Sequence, residues 1–199
     1  MSLDHANIIL ATTSIYKKQM FARLGLPFQS MSPNVDEIPQ KGETPPACAQ
    51  RLAIAKAQAI AQQHPHSIVI GADQVATLGH NIIGKAGSFA KAFQQLQALS
   101  GQSVQFHSAL AVCCGAETLS YDVITECHFR DLTDAEIQHY LEVEQPYDTA
   151  GSAKAESLGI SLMSSMRSDD PTAIIGLPLI ELCRMLRHFG VNPTLSAQL

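Results

Sequence analysis

Asn7-Ile8-Ile9-Leu10-Ala11-Thr12-Thr13-Ser14 decides how the chain begins to fold. Ile8 to Ala11 is a short apolar run, the pattern of a buried strand, and the hydroxyl residues after it are of the kind that caps helices. Met20, Phe21 and Leu24 then recur at helical spacing, and Gly25 stands where that helix must stop. The order is strand, polar turn, helix. Such a turn aims backbone N–H groups and a helix N-terminus at whatever lies above the strand end, an arrangement suited to a phosphate.

The same alternation continues outward from this opening. A second short strand is expected over 27–31, before the turn Ser32-Pro33-Asn34. Val35-Asp36-Glu37-Ile38-Pro39 and a polar linker to Pro46 lead into a helix over 47–62, rich in Ala and Gln and ended by His64-Pro65. Ser67-Ile68-Val69-Ile70-Gly71-Ala72-Asp73 reads as a buried strand that ends in an acid. A helix over 88–99 follows, with Ser88 as N-cap and Ser100-Gly101 as its stop.

The second half changes character. Segments 104–114 and 121–129 are long, β-prone and joined by a turn containing Gly115, which predicts an antiparallel pair. Thr133-Asp134-Ala135-Glu136 is a capping box opening a helix through Leu141. A last strand is expected over 159–163. Leu182, Met185, Leu186 and Phe189 make an amphipathic helix ending at Gly190, with a loose tail beyond. Strand–helix alternation combined with a long hairpin predicts an α/β fold: a mixed twisted sheet with flanking helices, one domain over 1–199 with two lobes around a central cleft.

Bulk properties narrow the function. Of 199 residues, 46% are hydrophobic and 16% charged, enough apolar material for a sizeable core. With a net charge of -5, the chain has no global attraction for nucleic acid or membrane, so an anionic ligand needs a local basic cluster. The N-terminus lacks the basic region of a secretory signal, and no apolar run approaches the ~20 residues that span a bilayer. Five cysteines without a C-x-x-C argue against a disulfide framework or zinc knuckle, and Cys113 and Cys114 read as small buried strand residues. Eight histidines are scattered without an H-E-x-x-H pattern and read as solvated or structural. A reduced, cytoplasmic compartment is the expectation.

Several residues stand out chemically. Asp73 sits at the expected rim of a sheet, where open α/β folds bind ligands; it either serves a site or merely opens a loop. Asp36-Glu37 lies in a Pro-bounded loop and either holds Mg²⁺ or Mn²⁺ or is simply solvated. Lys56 falls on an otherwise apolar helix line between Leu52 and Ile60, so its ammonium either snorkels outward or enters a site. Arg51 is easier to read as surface. Lys17 and Lys18 oppose the positive end of the first helix, a poor local choice that a bound polyphosphate would offset. Lys85 follows Gly84 and is another candidate phosphate cation.

Ala150-Gly151-Ser152-Ala153-Lys154-Ala155-Glu156 is a small-residue loop, where Glu156 can accept hydrogen bonds from a guanine N1–H and amine. Asp169-Asp170-Pro171 reads as a turn, with metal binding as the alternative. Gly176-Leu177-Pro178 reads as the structural start of the last helix. The P-loop pattern is absent from the sequence.

Taken in order, Ala11-Thr12-Thr13-Ser14-Ile15-Tyr16-Lys17-Lys18, Val35-Asp36-Glu37, Leu52-Ala53-x-x-Lys56-Ala57, Gly71-Ala72-Asp73-Gln74, Gly84-Lys85, Leu99-Ser100-Gly101, Ala150-Gly151-Ser152 and Gly176-Leu177-Pro178-Leu179 resemble the Maf family of nucleotide pyrophosphatases. The resemblance runs from about Ile8 to Gly190. It implies a mixed α/β cleft similar to that of inosine-triphosphate pyrophosphatases, a homodimer, and hydrolysis of nucleoside triphosphates to monophosphate and diphosphate with Mg²⁺ or Mn²⁺. Asp73 is then the proton acceptor, with Glu37 a metal ligand alongside it. Lys56 and Lys85 are catalytic cations, and Ser14, Lys17 and Lys18 bind substrate.

Tyr16, Gln74 and Glu156 match the positions that choose the base. Their aromatic, Gln and Glu identities resemble the branch that cleaves 7-methyl-GTP to 7-methyl-GMP, and the physics agrees, because an aromatic face attracts a cationic ring. The chain departs from the family pattern at Ile15, Lys17, Lys18 and Ala86, where Pro, Arg, Arg and Pro are usual, and Tyr16 stands where Trp is common. Two other readings follow: a pyrophosphatase for UTP, dTTP or noncanonical nucleotides, and a nucleotide-binding regulator of cell division with weak catalysis.

Overall fold

Ile8, Ile9, Leu10 and Ala11 are all at most 3% exposed. A four-residue strand covered on both faces belongs inside a sheet, and β1 (Ile8–Ala11) has parallel neighbours on either side, β2 (Gln29–Met31) and β3 (Ile68–Leu78). The computed structural model describes residues 7–196. In it β3 pairs antiparallel with β5 (Ser103–Cys114), β5 with β6 (Glu117–Phe129), and β6 with β7 (Met163–Ser168). The sheet order is β2-β1-β3-β5-β6-β7, with the short β4 (Asn81–Ile83) folded back on β3. The mixed α/β architecture and the long hairpin are as the sequence implies.

Strand alternation divides the helices between two faces. On one, α2 (Pro45–Ala61) lays Ala49, Ala53 and Ala57 against Ile9, Val69 and Ala109. The approach is so close that a Cβ on Gly71 would stand 2.2 Å from the Ala53 carbonyl oxygen, so only glycine fits there. On the other face, α1 (Ile15–Ala22) and α5 (Leu179–His188) cover Ile70, Ala72 and Leu110. Further along that face, α3 (Phe89–Leu99) and α4 (Asp134–Glu144) cover Ala76, Phe106 and Phe129. Between these two cores lie Gln74 and Ser108, which face each other across β3 and β5.

Three expectations need correction. Asp73 does not end its strand: β3 continues to Leu78 because β5 pairs with it from Ile68 through Thr77. Segment 159–163 is a strand only at Met163, where β7 begins. Gly159 and Leu162 are the buried positions there, three apart, the period of the observed 3-10 turn Leu158–Leu162, and the strand follows as β7. The chain after Gly190 is not loose as far as 196: Val191 is 6% exposed within the α5 core, and α6 (Pro193–Ser196) is a short helix. The capping box at Thr133 forms, as does the Ser88 N-cap of α3. All five cysteines are free; Cys113 is buried and Cys114 partly so. None of the described helices is long and apolar enough to cross a membrane.

Candidate active site

The site arises from unequal strand lengths. β1 stops at Ala11, opposite Gly71, and β4 meets β3 only from Ala76. From Ala72 to Val75 that edge of β3 has no strand partner among the described residues, and a cleft of about 460 Å³ opens beside it. Neighbouring strand residues point to opposite faces. The cleft wraps the bare edge, so both Asp73 and Gln74 line it.

Lys56 reaches Asp73 from α2. Its Nζ donates to Asp73 Oδ1 at 2.6 Å and stands 2.6 Å from Glu37 Oε1. Lys56 is 8% exposed and Asp73 9%, while Glu37 extends from a solvent-facing loop. That loop is shaped by its own neighbours: Asp36 Oδ1 accepts from the Ile38 N–H at 3.0 Å, and Arg51 forks onto Glu43. Asp36 and Arg51 are thus structural supports for the loop. Burial by itself lowers the pKa of Lys56, but the carboxylates of Asp73 and Glu37 outweigh it and hold the ammonium above its ordinary value. The hydrogen bond from Lys56 holds the Glu37 carboxyl below the usual range.

The first turn supplies the next wall. Ser14 caps α1, accepting from the Lys17 N–H at 3.4 Å, and lines the cleft with Tyr16 and Lys17. Lys17 Nζ donates to the Ala72 carbonyl on the bare edge of β3 at 2.7 Å. Burial pushes the Lys17 ammonium down to about 8; Asp73 and Glu37 resist this, while Lys56 and Lys85 add to it. Lys85 enters from the segment after β4, where it bridges to Ala150.

Lys18 and Glu156 do not line the cleft. Lys18 turns aside by one helical step from Lys17, and Glu156 is exposed on the loop that brings Asp148, Thr149 and Ala150 to the opposite wall. Asp148 has no local mark in the sequence, because a lone acid in a polar loop carries no signal of its own. Cys48 and Gly176 also line the cleft. Gly176 does more than start the last helix: a Cβ there would lie 3.2 Å from Lys17 Cε. The Asp170 carboxylate is consumed by Thr172 and Ile180 rather than available to a metal.

Among the described residues no group of three or more His, Cys, Asp and Glu side chains is arranged to hold a metal ion. Mg²⁺ and Mn²⁺ ask for less, since one or two carboxylates plus substrate phosphates and waters suffice. Glu37 and Asp73 turn oxygens toward a common point, now met by the Lys56 ammonium. This all-oxygen pair fits a hard divalent ion.

Two carboxylates and the ammonium groups of Lys17, Lys56 and Lys85, gathered in one cleft at a bare sheet edge, are the equipment for handling a polyphosphate. The sequence matches the Maf-like protein family over residues 7–189, and the chain belongs to that family. A 7-methyl-GTP pyrophosphatase of Bordetella avium is 63% identical over 97% of this chain and 98% of its own length. Proteins of the same name from Bordetella pertussis and Thiobacillus denitrificans are 60% and 49% identical, covering 94% and 96% of both chains. Among solved structures, the Staphylococcus aureus Ham1 protein overlaps with a TM-score of 0.46 and 19% identity, over 63% of this chain and 72% of that one.

Proposed function

We propose that this protein hydrolyses 7-methyl-GTP to 7-methyl-GMP and diphosphate, as a cytoplasmic, divalent-metal-dependent homodimer. The observation that carries the reading is the contact of Asp73, Lys56 and Glu37 inside the cleft that Tyr16 and Gln74 also line. The names of relatives at 60–63% identity support it.

Asp73 acts through its free oxygen. Oδ1 receives Lys56, while among the described residues no protein group donates to Oδ2. Oδ2 takes the proton of a water as that water's oxygen bonds to the α-phosphorus and the α–β anhydride bond breaks. Lys56 fixes the carboxylate's orientation through that contact. Lys17 and Lys85 face the charge that gathers on the departing diphosphate, with Lys18 assisting from the next helical position. Glu37 and Asp73 would hold Mg²⁺ or Mn²⁺, which neutralises phosphate charge when bound. Tyr16 meets the cationic 7-methylguanine ring, and Glu156 attends its donor edge from the loop that carries Asp148.

One observation favours a second reading, in which the chemistry stands but the base differs: Glu156 lies outside the cleft wall. Release of diphosphate from 7-methyl-GTP, GTP, UTP and dTTP under one metal separates the two. A preference for 7-methyl-GTP supports the first, and a profile led by UTP or dTTP selects the second.

A further inference from the structure

The Gln74 side-chain amide is not free to turn. Its Nε2 lies 2.9 Å from the Ile174 carbonyl oxygen, 3.1 Å from that of Ala173 and 2.9 Å from Ser108 Oγ. Carbonyl oxygens only accept, so the nitrogen must occupy this position and the amide oxygen the other. Ser108 is 0% exposed, and its hydroxyl donates to the Ala173 carbonyl at 2.6 Å, which leaves its lone pairs for Gln74. Among the described residues no protein group donates to Gln74 Oε1.

The two carbonyls belong to a single turn, Ala173–Ile175, tied at both sides to one buried carboxylate. Asp170 is 2% exposed. Its Oδ1 accepts from the Thr172 N–H at 2.9 Å and hydroxyl at 2.6 Å, and its Oδ2 from the Ile180 N–H at 2.6 Å. Neither Ser108 nor Asp170 lines the cleft.

We propose that Ser108 and Asp170 are positioning residues for base selection: together they lock the Gln74 amide so that the cleft meets its acceptor oxygen and never its N–H groups. A base with adjacent N–H donors at that edge, as guanine has in its N1–H and amine, is favoured over one with a single N–H between two carbonyl oxygens, as uracil has. This rests on Gln74 facing the nucleobase, as in the reading above.

The test pairs Ser108→Ala and Asp170→Asn with two measurements. The first is hydrogen exchange of the Gln74 side-chain amide by ¹⁵N NMR, assigned through its loss in Gln74→Ala. The second is kcat/KM for 7-methyl-GTP against UTP. Exchange should quicken at least about tenfold in both variants as the amide is released to open. The 7-methyl-GTP to UTP ratio should fall about tenfold through KM, with kcat held within about twofold. Unchanged amide exchange, or equal losses for both nucleotides, overturns the proposal. If the wild type does not prefer 7-methyl-GTP, the substrate reading fails while the exchange measurement still decides this one. Ser108→Cys, close in volume but a weaker acceptor, serves if either variant fails to fold, and should quicken exchange in the same direction.

Discussion

Lys56 Nζ stands 2.6 Å from Asp73 Oδ1, and Gly71 makes that distance possible. The glycine two residues before Asp73 lets the Ala53–Ala57 stretch of α2 press onto β3, which delivers Lys56 to the carboxylate. Packing and chemistry are joined at this point, because the residue that admits the helix also sets the reach of the lysine.

Gly71→Ala tests the joint. A Cβ 2.2 Å from the Ala53 carbonyl and 2.6 Å from the Ala57 nitrogen meets backbone, which cannot swing aside. Overpacking of this kind costs roughly 1–3 kcal/mol or more. Thermal unfolding should show a lower Tm, and diphosphate release should fall with it as α2 carries Lys56 away. Wild-type values for both would separate the helix contact from the site.

Asp73→Asn keeps the shape and removes the proposed base. General-base catalysis contributes about 10²–10⁴-fold, so kcat should drop within that range while the variant stays folded by circular dichroism. Turnover near wild type would remove Asp73 from the mechanism.

Lys56→Met replaces the buried ammonium with a side chain of similar length. Asp73 then loses its partner in a site where it is 9% exposed, and removing one member of a buried pair costs roughly 3–5 kcal/mol. Urea unfolding near neutral pH measures the loss. A double variant, Lys56→Met with Asp73→Asn, should recover part of it, since the charge left unpaired, on Glu37, is exposed rather than buried.

Lys17 gives the site a pH limit. Its ammonium is pushed down to about 8 in the free protein, so kcat/KM, which reports the free enzyme, should decline as pH rises through that value. Lys17→Arg keeps its charge and should flatten this limb. Folding stability moves the other way. Between about 8 and the ordinary lysine range the unfolded chain binds the extra proton, so this group makes stability rise with pH there.

Tyr16→Leu removes the aromatic face from the cleft. A cation–π contact is worth about 0.5–2 kcal/mol, so kcat/KM for 7-methyl-GTP should fall roughly two- to thirtyfold while that for GTP changes less. Glu156→Gln should act in the same direction but more weakly, because that carboxylate is exposed to solvent.

Much of this was legible in the residues. The apolar run at Ile8, the Ser14 cap, the Ala-rich helix and the Thr133 capping box each depend on neighbours a few positions away, and each formed. Lys56 betrayed itself as a charge on an apolar helix line. Asp148 and the Ser108–Asp170 arrangement gave no such sign, because their meaning lies in contacts with distant segments.

The sequence alone determined the element types and the chemistry available, since periodicity, capping and charge are properties of short stretches. Tertiary structure alone decided that β1 ends before β3 does, leaving an edge bare from Ala72 to Val75. Strand length within a sheet is set by pairing partners, and those are remote in the chain. That mismatch opens the cleft, and it lets Asp73 and Gln74, on opposite faces of one strand, line a single cavity.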